Sequence, residues 1–122
     1  MSDEKLRDAV ALLAKALEVQ RAQPKDGLAF AALAKSYEVA FEYAWKGFKR
    51  EADAAGMEVY SPRDAIKAAA QLELIKDLET WNRFLNVRNL SVHDYIGISD
   101  QSFAQTAGEL IEELGQIMPR LA

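Results

Sequence analysis

The chain has no cysteine and a single histidine among its 122 residues. Without cysteine there can be no disulfide, no thiolate-bound structural zinc and no cysteine nucleophile. One histidine also prevents a single chain from building a multi-histidine metal site. Because no spacing of carboxylates indicates a bound ion either, we predict that the protein uses no metal and no other cofactor.

Long hydrophobic runs are absent as well. Lys, Glu or Asp interrupts the apolar stretches, and charged residues occupy positions 3–5 at the start of the chain. These features predict neither a secretory signal nor a membrane span. We therefore expect a cytoplasmic protein that does not bind a membrane.

An excess of basic residues is missing too, since the net charge is -4. The 11 acidic and 11 basic side chains of residues 1–67 cancel, whereas residues 68–122 carry 8 acidic and 4 basic ones. Proteins that bind nucleic acid through unspecific attraction to phosphate are normally basic. Any nucleic-acid chemistry must therefore use a local site, or a surface that two chains build together.

Proline and glycine are sparse, with 3 and 6 residues, and the apolar residues between them repeat with helical spacing. A first stripe predicts one helix, and Asp26 predicts the cap of a second helix that ends near Gly56. The two stripes consist of Leu6, Val10, Leu13 and Leu17, and of Phe30, Leu33, Tyr37, Phe41, Ala44, Trp45 and Phe48.

The second half of the chain contains three more helix signals. Residues 61–64, Ser-Pro-Arg-Asp, predict a capped helix that continues through Ile75. Asp77 opens a further helix, which Gly97 ends, and residues 99–101 cap the last one. The last helix is predicted to bury Phe103, Ala107, Leu110, Ile111, Leu114, Ile117 and Met118.

No stretch alternates between apolar and polar residues, so no sheet is expected. The length is that of one domain and allows a core to be buried without covalent cross-links. We therefore predict an all-α protein in which residues 1–122 form a single domain. Its architecture should be an antiparallel up-and-down four-helix bundle with an additional short helix.

Residues 88–95 contain the side chains best suited to chemistry. Arg88 precedes His93, the single histidine, by five residues, and Tyr95 follows it by two. Arginine binds phosphate oxygens through its planar fork, and histidine exchanges protons near neutral pH. Each residue alone is more often structural, as a helix cap, a solvated cation or a packed ring. As a set they indicate phosphate or nucleotide chemistry.

Helical spacing does not by itself bring these side chains together. Asn89 and His93 share a face, whereas Arg88 lies about 140° from His93 on an ideal helix. Arg88 can reach the histidine if its side chain wraps round the helix, or if the helix loosens near Ser91. A second copy of the chain can also supply the partner.

Other clusters are predicted to be structural. Phe41, Tyr43 and Trp45 could stack on bases, but an aromatic stripe fits core packing or a dimer face better. Basic residues around the second and third helices are interleaved with acidic ones, so a salt-bridged surface is expected there. The basic set is Lys46, Lys49, Arg50, Arg63 and Lys67. The carboxylates of Glu109, Glu112 and Glu113 should lie on an exposed helix face.

Arg88, Asn89, His93 and Tyr95 fill the pattern Arg-Asn-x3-His-x-Tyr. With this motif the chain resembles the HEPN-domain family, in its small branch of nucleotidyltransferase substrate-binding proteins. The resemblance extends to residues 42–46, to residues 61–66 with Leu74 and Ile75, and to Trp81. Two residues depart from it. Val87 stands where relatives often have an acid, which would loosen the orientation of Arg88, and Asp94 adds a charge that would repel a phosphate.

The resemblance implies a prokaryotic toxin that is a metal-independent endoribonuclease leaving 2′,3′-cyclic phosphate ends. His93 would act as general acid or base, Arg88 would stabilise the phosphorane, and Asn89 would hold a phosphate oxygen or orient His93. A cognate minimal nucleotidyltransferase, the antitoxin, would transfer AMP to Tyr95. Because metal-free cleavage is served best by two proton carriers, we expect a homodimer with the motif near its cleft.

Two other functions stay open from the sequence. The chain can be a non-catalytic subunit that binds the nucleotide or substrate of a two-component nucleotidyltransferase. It can also be merely the substrate that is modified at Tyr95. Replacing His93 with Ala separates the ribonuclease from the binding subunit, because RNA cleavage would disappear in the first case whereas ligand binding would only weaken in the second.

Overall fold

The computed structural model describes residues 3–94 and 100–121, apart from the side chains of residues 92–94 and 100. Within these ranges the chain forms helices and no strand, which confirms the predicted all-α class. The elements are α1 (Glu4–Ala22), α2 (Gly27–Ala54), α3 (Pro62–Gln71), α4 (Leu78–Asp94), α5 (Asp100–Ile117) and a final 3-10 turn (Met118–Arg120).

Contacts between the ends of the helices establish the antiparallel arrangement. Asp3, at the start of α1, forms an ion pair of 2.6 Å with Arg50 near the end of α2. The end of the chain returns to the same region, where a Cβ atom on Gly47 would lie 3.1 Å from Cδ1 of Leu121. Helices α1, α2, α4 and α5 form the predicted bundle, and α3 is the additional short helix.

Side-chain caps fix where the helices begin. The carboxylate of Asp26 accepts from the N–H groups of Leu28 and Ala29 at 2.9 and 3.4 Å, as its position after Pro24 predicts. The hydroxyl of Ser61 accepts from the N–H of Asp64 at 3.1 Å. Such caps satisfy backbone donors that have no partner inside the helix.

Asp77 caps α4, the helix that carries the motif. Its carboxylate accepts from the N–H of Glu79 at 3.1 Å and from the hydroxyl of Thr80 at 2.6 Å. The hydroxyl of Thr80 and these backbone N–H groups hold the pKa of Asp77 below its ordinary value. The start of α4 is therefore fixed three turns before its Arg-Asn pair.

Two helices end in Schellman motifs, one of them earlier than predicted. After α2, Gly56 adopts φ +78° and Met57 donates to the carbonyl of Ala52 at 2.9 Å. Helix α3 ends at Gln71 and not at Ile75. Glu73 adopts φ +60° there, and Leu74 donates to the carbonyl of Ala69 at 2.9 Å. No glycine marks this end, so no local residue type predicts it.

An aromatic cluster forms the centre of the core between α2 and α4. Trp81 is fully buried, and the ring centroids of Phe48 and Phe84 each lie 5.1 Å from it in edge-to-face geometry. The hydroxyl of Tyr37 donates to the carbonyl of Phe84 at 2.8 Å inside the core. These contacts join α4 firmly to α2 one turn before Arg88.

The last helix buries the face that its pattern predicts. Phe103, Ala107, Leu110, Leu114 and Ile117 are buried, and Ile111 and Met118 are partly buried against the core. Across the described ranges, every helix is too short or too polar to cross a bilayer.

Candidate functional site

Arg88 is directed from α4 towards α2, where Glu42 receives it. The Nη2 atom donates to Oε2 of Glu42 at 3.2 Å, and Nη1 donates to Oδ1 of Asn89 at 3.0 Å. The side chains of Arg88 and Glu42 are 27% and 32% exposed, so the pair lies at the edge of the core and can be reached from solvent. The structure thus brings together two of the predicted site residues, Arg88 and Asn89.

The remaining nitrogen of the guanidinium, Nε, differs from the two terminal nitrogens in its hydrogen bonding. The Nε atom of Arg88 is buried and has no hydrogen-bond partner within the described part of the chain. A buried donor without a partner carries a desolvation cost, commonly about 1–3 kcal/mol. The guanidinium is therefore held at both terminal nitrogens, while its Nε–H donor next to its own helix is unused.

A cavity of about 360 Å³ opens beside this pair, between α2 and the motif helix. Its lining comprises Lys35, Glu38, Val39, Glu42, Tyr43, Lys46 and Arg88. Oε1 of Glu42 lies 4.0 Å from the Nζ atom of Lys46, so two cations share one carboxylate at this rim. The second carboxylate, Glu38, is paired with Lys35 at 2.8 Å. The rim consequently retains a local excess of positive charge in an acidic protein.

Helix α4 is regular through the motif. Residues 88–94 are all α-helical, and the hydroxyl of Ser91 donates to the carbonyl of Arg88 at 2.8 Å, a local bond that leaves the helix intact. Of the three routes by which Arg88 could meet His93, a loosening of the helix near Ser91 is therefore not observed. On this continuous helix the positions of Arg88 and His93 stay about 140° apart. Arg88 does not wrap round α4, because Glu42 holds it on the opposite side.

Two of the predicted site residues are not fully described. The backbone of His93 belongs to α4, whereas its side chain and that of Asp94 lie outside the described part. Tyr95 falls outside the described residues altogether, as do Gly97 and Ser99. Their roles stay predictions.

The outward face of α4 leads towards the His93 position. Asn82, Asn86 and Asn89 follow one another at helical spacings of four and three residues, and His93 is the next position in this row. Leu90 beside it is 54% exposed, although it is a large apolar residue. This face is thus amide-rich, with one exposed leucine, and Arg83, seven residues before Leu90 on the same side, is 44% exposed in its ion pair with Glu109.

Glu42 is the residue that sequence reasoning did not assign to the site. The residue next to the arginine in the chain is Val87 and not an acid, and Val87 packs against the core. The acidic partner of Arg88 comes instead from α2, 46 positions earlier. Two signals were available. Glu42 is a carboxylate at the edge of the aromatic stripe of α2, between Phe41 and Trp45, and it begins the stretch 42–46 to which the family resemblance extends.

The clusters predicted to be structural are so in part, because Tyr43 and Lys46 also line the cavity beside Arg88. Phe41 is fully buried, and Tyr43 and Trp45 are half-buried against the core. Lys49 pairs with Asp53 at 3.1 Å, as expected for a salt-bridged surface. Glu109 pairs with Arg83 at 2.6 Å, which also links α5 to α4. In the described ranges no three His, Cys, Asp or Glu residues are grouped as metal ligands.

The described part of the chain is thus an all-α helical bundle in which the motif helix presents Arg88 and Asn89 at a charged cavity. The family model described as nucleotidyltransferase substrate binding protein like matches residues 3–118. The chain belongs to this family. None of the curated proteins is similar enough in sequence to match it.

Proposed function

We propose that this protein is a HEPN-type toxin, a metal-independent endoribonuclease that acts with a cognate minimal nucleotidyltransferase as its antitoxin. The observation that carries the proposal is the arrangement of Arg88. Its guanidinium is fixed by Glu42 and Asn89 beside an open cavity, five residues before the single histidine on the same continuous helix. A fixed arginine in a polar cavity is the group that stabilises charge developing on a phosphorane.

The charges around the cavity support a local phosphate site. Arg88 and Lys46 share the carboxylate of Glu42, so one positive charge remains to attract an anionic group. Attraction at this rim does not require a basic protein, and it agrees with the net charge of -4. Screening by salt will be moderate, because Arg88 is mostly shielded from solvent.

The reaction uses few groups. The 2′-oxygen of a ribose attacks the adjacent phosphorus and passes its proton to a general base, and the 5′-oxygen leaves with a proton from a general acid. The products are a 2′,3′-cyclic phosphate and a free 5′-hydroxyl. His93 serves in these proton transfers, Arg88 stabilises the phosphorane, and Asn89 orients Arg88 or a phosphate oxygen.

A homodimer fits this chemistry. Each chain has one histidine, whereas the reaction needs one group to take a proton and another to give one. Because the position of His93 lies about 140° from Arg88 on α4, pairing two copies across the outward face of α4 would supply the missing neighbour. Leu90 and the asparagine row provide apolar and self-complementary polar contacts for such a pairing.

The nucleotidyltransferase partner would act on Tyr95. Transfer of AMP from ATP to the phenol forms a phosphodiester, releases pyrophosphate and places a negative charge two residues after His93. That charge would repel the phosphate of RNA and silence cleavage. The family, whose description refers to nucleotidyltransferase substrate binding, supports a partner of this type.

Incubation of the purified protein with total RNA in EDTA tests the proposal, beside His93→Ala and Asp53→Asn variants. Cleavage should resist EDTA, yield cyclic phosphate ends, disappear in His93→Ala and persist in Asp53→Asn, whose carboxylate lies on α2 and pairs with Lys49. Cleavage that EDTA abolishes, or that His93→Ala retains, would contradict the metal-free ribonuclease.

A second candidate function is a non-catalytic nucleotide-binding subunit of a two-component nucleotidyltransferase. The cavity favours it, because about 360 Å³ beside Tyr43, Lys46 and Arg88 offers a ring and two cations to a nucleotide. Calorimetric titration with ATP and AMP separates the two functions. Binding that Lys46→Ala and Arg88→Ala both weaken, by a protein that cleaves no RNA, would establish the subunit.

A further inference from the structure

Glu42 lies in the middle of α2 and contacts two cations through its two oxygens. Oε2 accepts from Nη2 of Arg88 at 3.2 Å, and Oε1 lies 4.0 Å from the Nζ atom of Lys46. Its side chain is 32% exposed, so water does not dominate its surroundings. Because both oxygens have cationic neighbours, the carboxylate is itself held in one orientation.

We infer that Glu42 is the positioning residue of Arg88, and that it fixes the direction in which the guanidinium meets an anionic ligand. This inference rests on the proposed function for its catalytic consequence. Glu42 acts through Arg88 and does not itself touch the reacting atoms. It takes the place of the acid that Val87 does not provide, from a different helix.

The geometry explains how the positioning works. Arg88 ends in two terminal nitrogens, of which Asn89 engages Nη1 at 3.0 Å and Glu42 engages Nη2. Bonds at both terminal nitrogens restrict how the guanidinium can turn, while the buried Nε atom has no partner to contribute. Without Glu42, one neutral amide on the same helix would be the remaining constraint among the described residues.

The negative charge of Glu42 positions Arg88 but weakens the binding of an anionic ligand. It cancels part of the attraction that Arg88 and Lys46 exert on a phosphate, so it weakens the ground-state complex. Removing the charge while keeping an oxygen acceptor, as in Glu42→Gln, should therefore leave KM unchanged or lower it. The looser guanidinium should at the same time lower kcat, because small misplacements of a catalytic group are costly.

The first test is RNA cleavage by Glu42→Gln, with Asp53→Asn as the matched control on the same helix. Glu42→Gln should lower kcat roughly 10- to 100-fold without raising KM, whereas Asp53→Asn should keep both parameters. Glu42→Asp, with a shorter side chain, should rescue kcat little. A Glu42→Gln protein with the kcat of the parent, or with the raised KM expected of a lost binding group, would overturn the inference.

The second test needs no catalytic activity. In ¹⁵N-labelled protein, the Nε–H signal of Arg88, assigned by its loss in Arg88→Lys, reports how fast that proton exchanges with water. Exchange should be slow in the parent and in Asp53→Asn, and several-fold faster in Glu42→Gln. Equal exchange in all three proteins would overturn the positioning role. If the parent protein cleaves no RNA, the proposed function fails, and this comparison still decides the role of Glu42.

Discussion

The Nη2 atom of Arg88 on α4 donates to Oε2 of Glu42 on α2 at 3.2 Å, across a separation of 46 residues. The site therefore depends on the packing of α2 against α4, because neither helix alone can hold the arginine in place. The aromatic contacts of Trp81 and the buried hydroxyl of Tyr37 set the distance between the two helices one to two turns away. Site geometry and core packing are thus coupled.

Arg88→Ala should abolish RNA cleavage and leave the fold nearly as stable as before. Loss of a charge-stabilising donor costs roughly 100- to 1000-fold in kcat. A partly exposed ion pair contributes about 0–1 kcal/mol to stability, and Glu42 keeps Lys46 as a neighbour. Cleavage assays and urea unfolding measure the two effects. A loss of several kcal/mol would instead assign Arg88 a mainly structural role.

Tyr37→Phe should lower the free energy of unfolding by about 1 kcal/mol, because the carbonyl of Phe84 loses a buried donor. Urea unfolding measures the change. Tyr60→Phe is the matched control, since its ring is 80% exposed, and it should leave the stability unchanged. Equal stability of Tyr37→Phe and the parent would show that the bond across α2 and α4 contributes nothing.

Tyr37 should also make the stability of the fold decrease at alkaline pH. Burial raises the pKa of Tyr37 above its ordinary value. The unfolded chain therefore releases this proton first, above about pH 10, while the folded protein retains it. Stability then falls with rising pH by up to about 1.4 kcal/mol per pH unit. In urea unfolding from pH 8 to 11, the advantage of the parent over Tyr37→Phe should shrink, and a constant difference would contradict this.

Glu73→Gly should stabilise the protein. Glu73 adopts φ +60°, which disfavours side chains with a Cβ atom by about 1–2 kcal/mol, and the greater freedom of glycine in the unfolded chain offsets roughly half of this. The bond from Arg120 to the Glu73 carbonyl at 3.0 Å does not depend on the side chain. Thermal unfolding should show a gain of about 0.5–1 kcal/mol. Gly56→Ala, at φ +78°, should show the opposite sign.

Leu90→Arg tests the proposed homodimer. The substitution places a charge in the middle of the outward face of α4, so two copies would repel each other there. Sedimentation equilibrium should show a dimer for the parent and a monomer for Leu90→Arg. Leu12→Arg on α1 is the control, because Leu12 is exposed to a similar degree, 57% against 54%. Dissociation by Leu12→Arg alone would place the interface elsewhere.

The sequence predicts the helices well because their ends are marked locally. Asp26, Ser61 and Asp77 cap the helices that follow them, and Gly56 terminates α2, as their residue types indicate. The end of α3 was placed too late because Glu73 occupies a left-handed position that usually takes glycine. Local signals therefore fail where tertiary packing imposes an unfavourable backbone angle on an ordinary residue.

Only the site residues that lie together in the sequence could be predicted from it. Arg88 and Asn89 are neighbours in sequence, and the motif drew attention to both. The contribution of Glu42 depends on how α2 and α4 pack, which no spacing within either helix specifies. The expectation that Val87 loosens the arginine followed from sequence adjacency, whereas the structure supplies the acid through space.

The full burial of Trp81 among Phe41, Phe48 and Phe84 has an optical consequence. An indole without contact to water emits at short wavelength, and its emission shifts to longer wavelength when water enters. In a Trp45→Phe background, Trp81 becomes the single tryptophan, seven residues before Arg88 on α4. The wavelength of its emission then reports whether the motif helix packs against α2, in each variant and with each ligand.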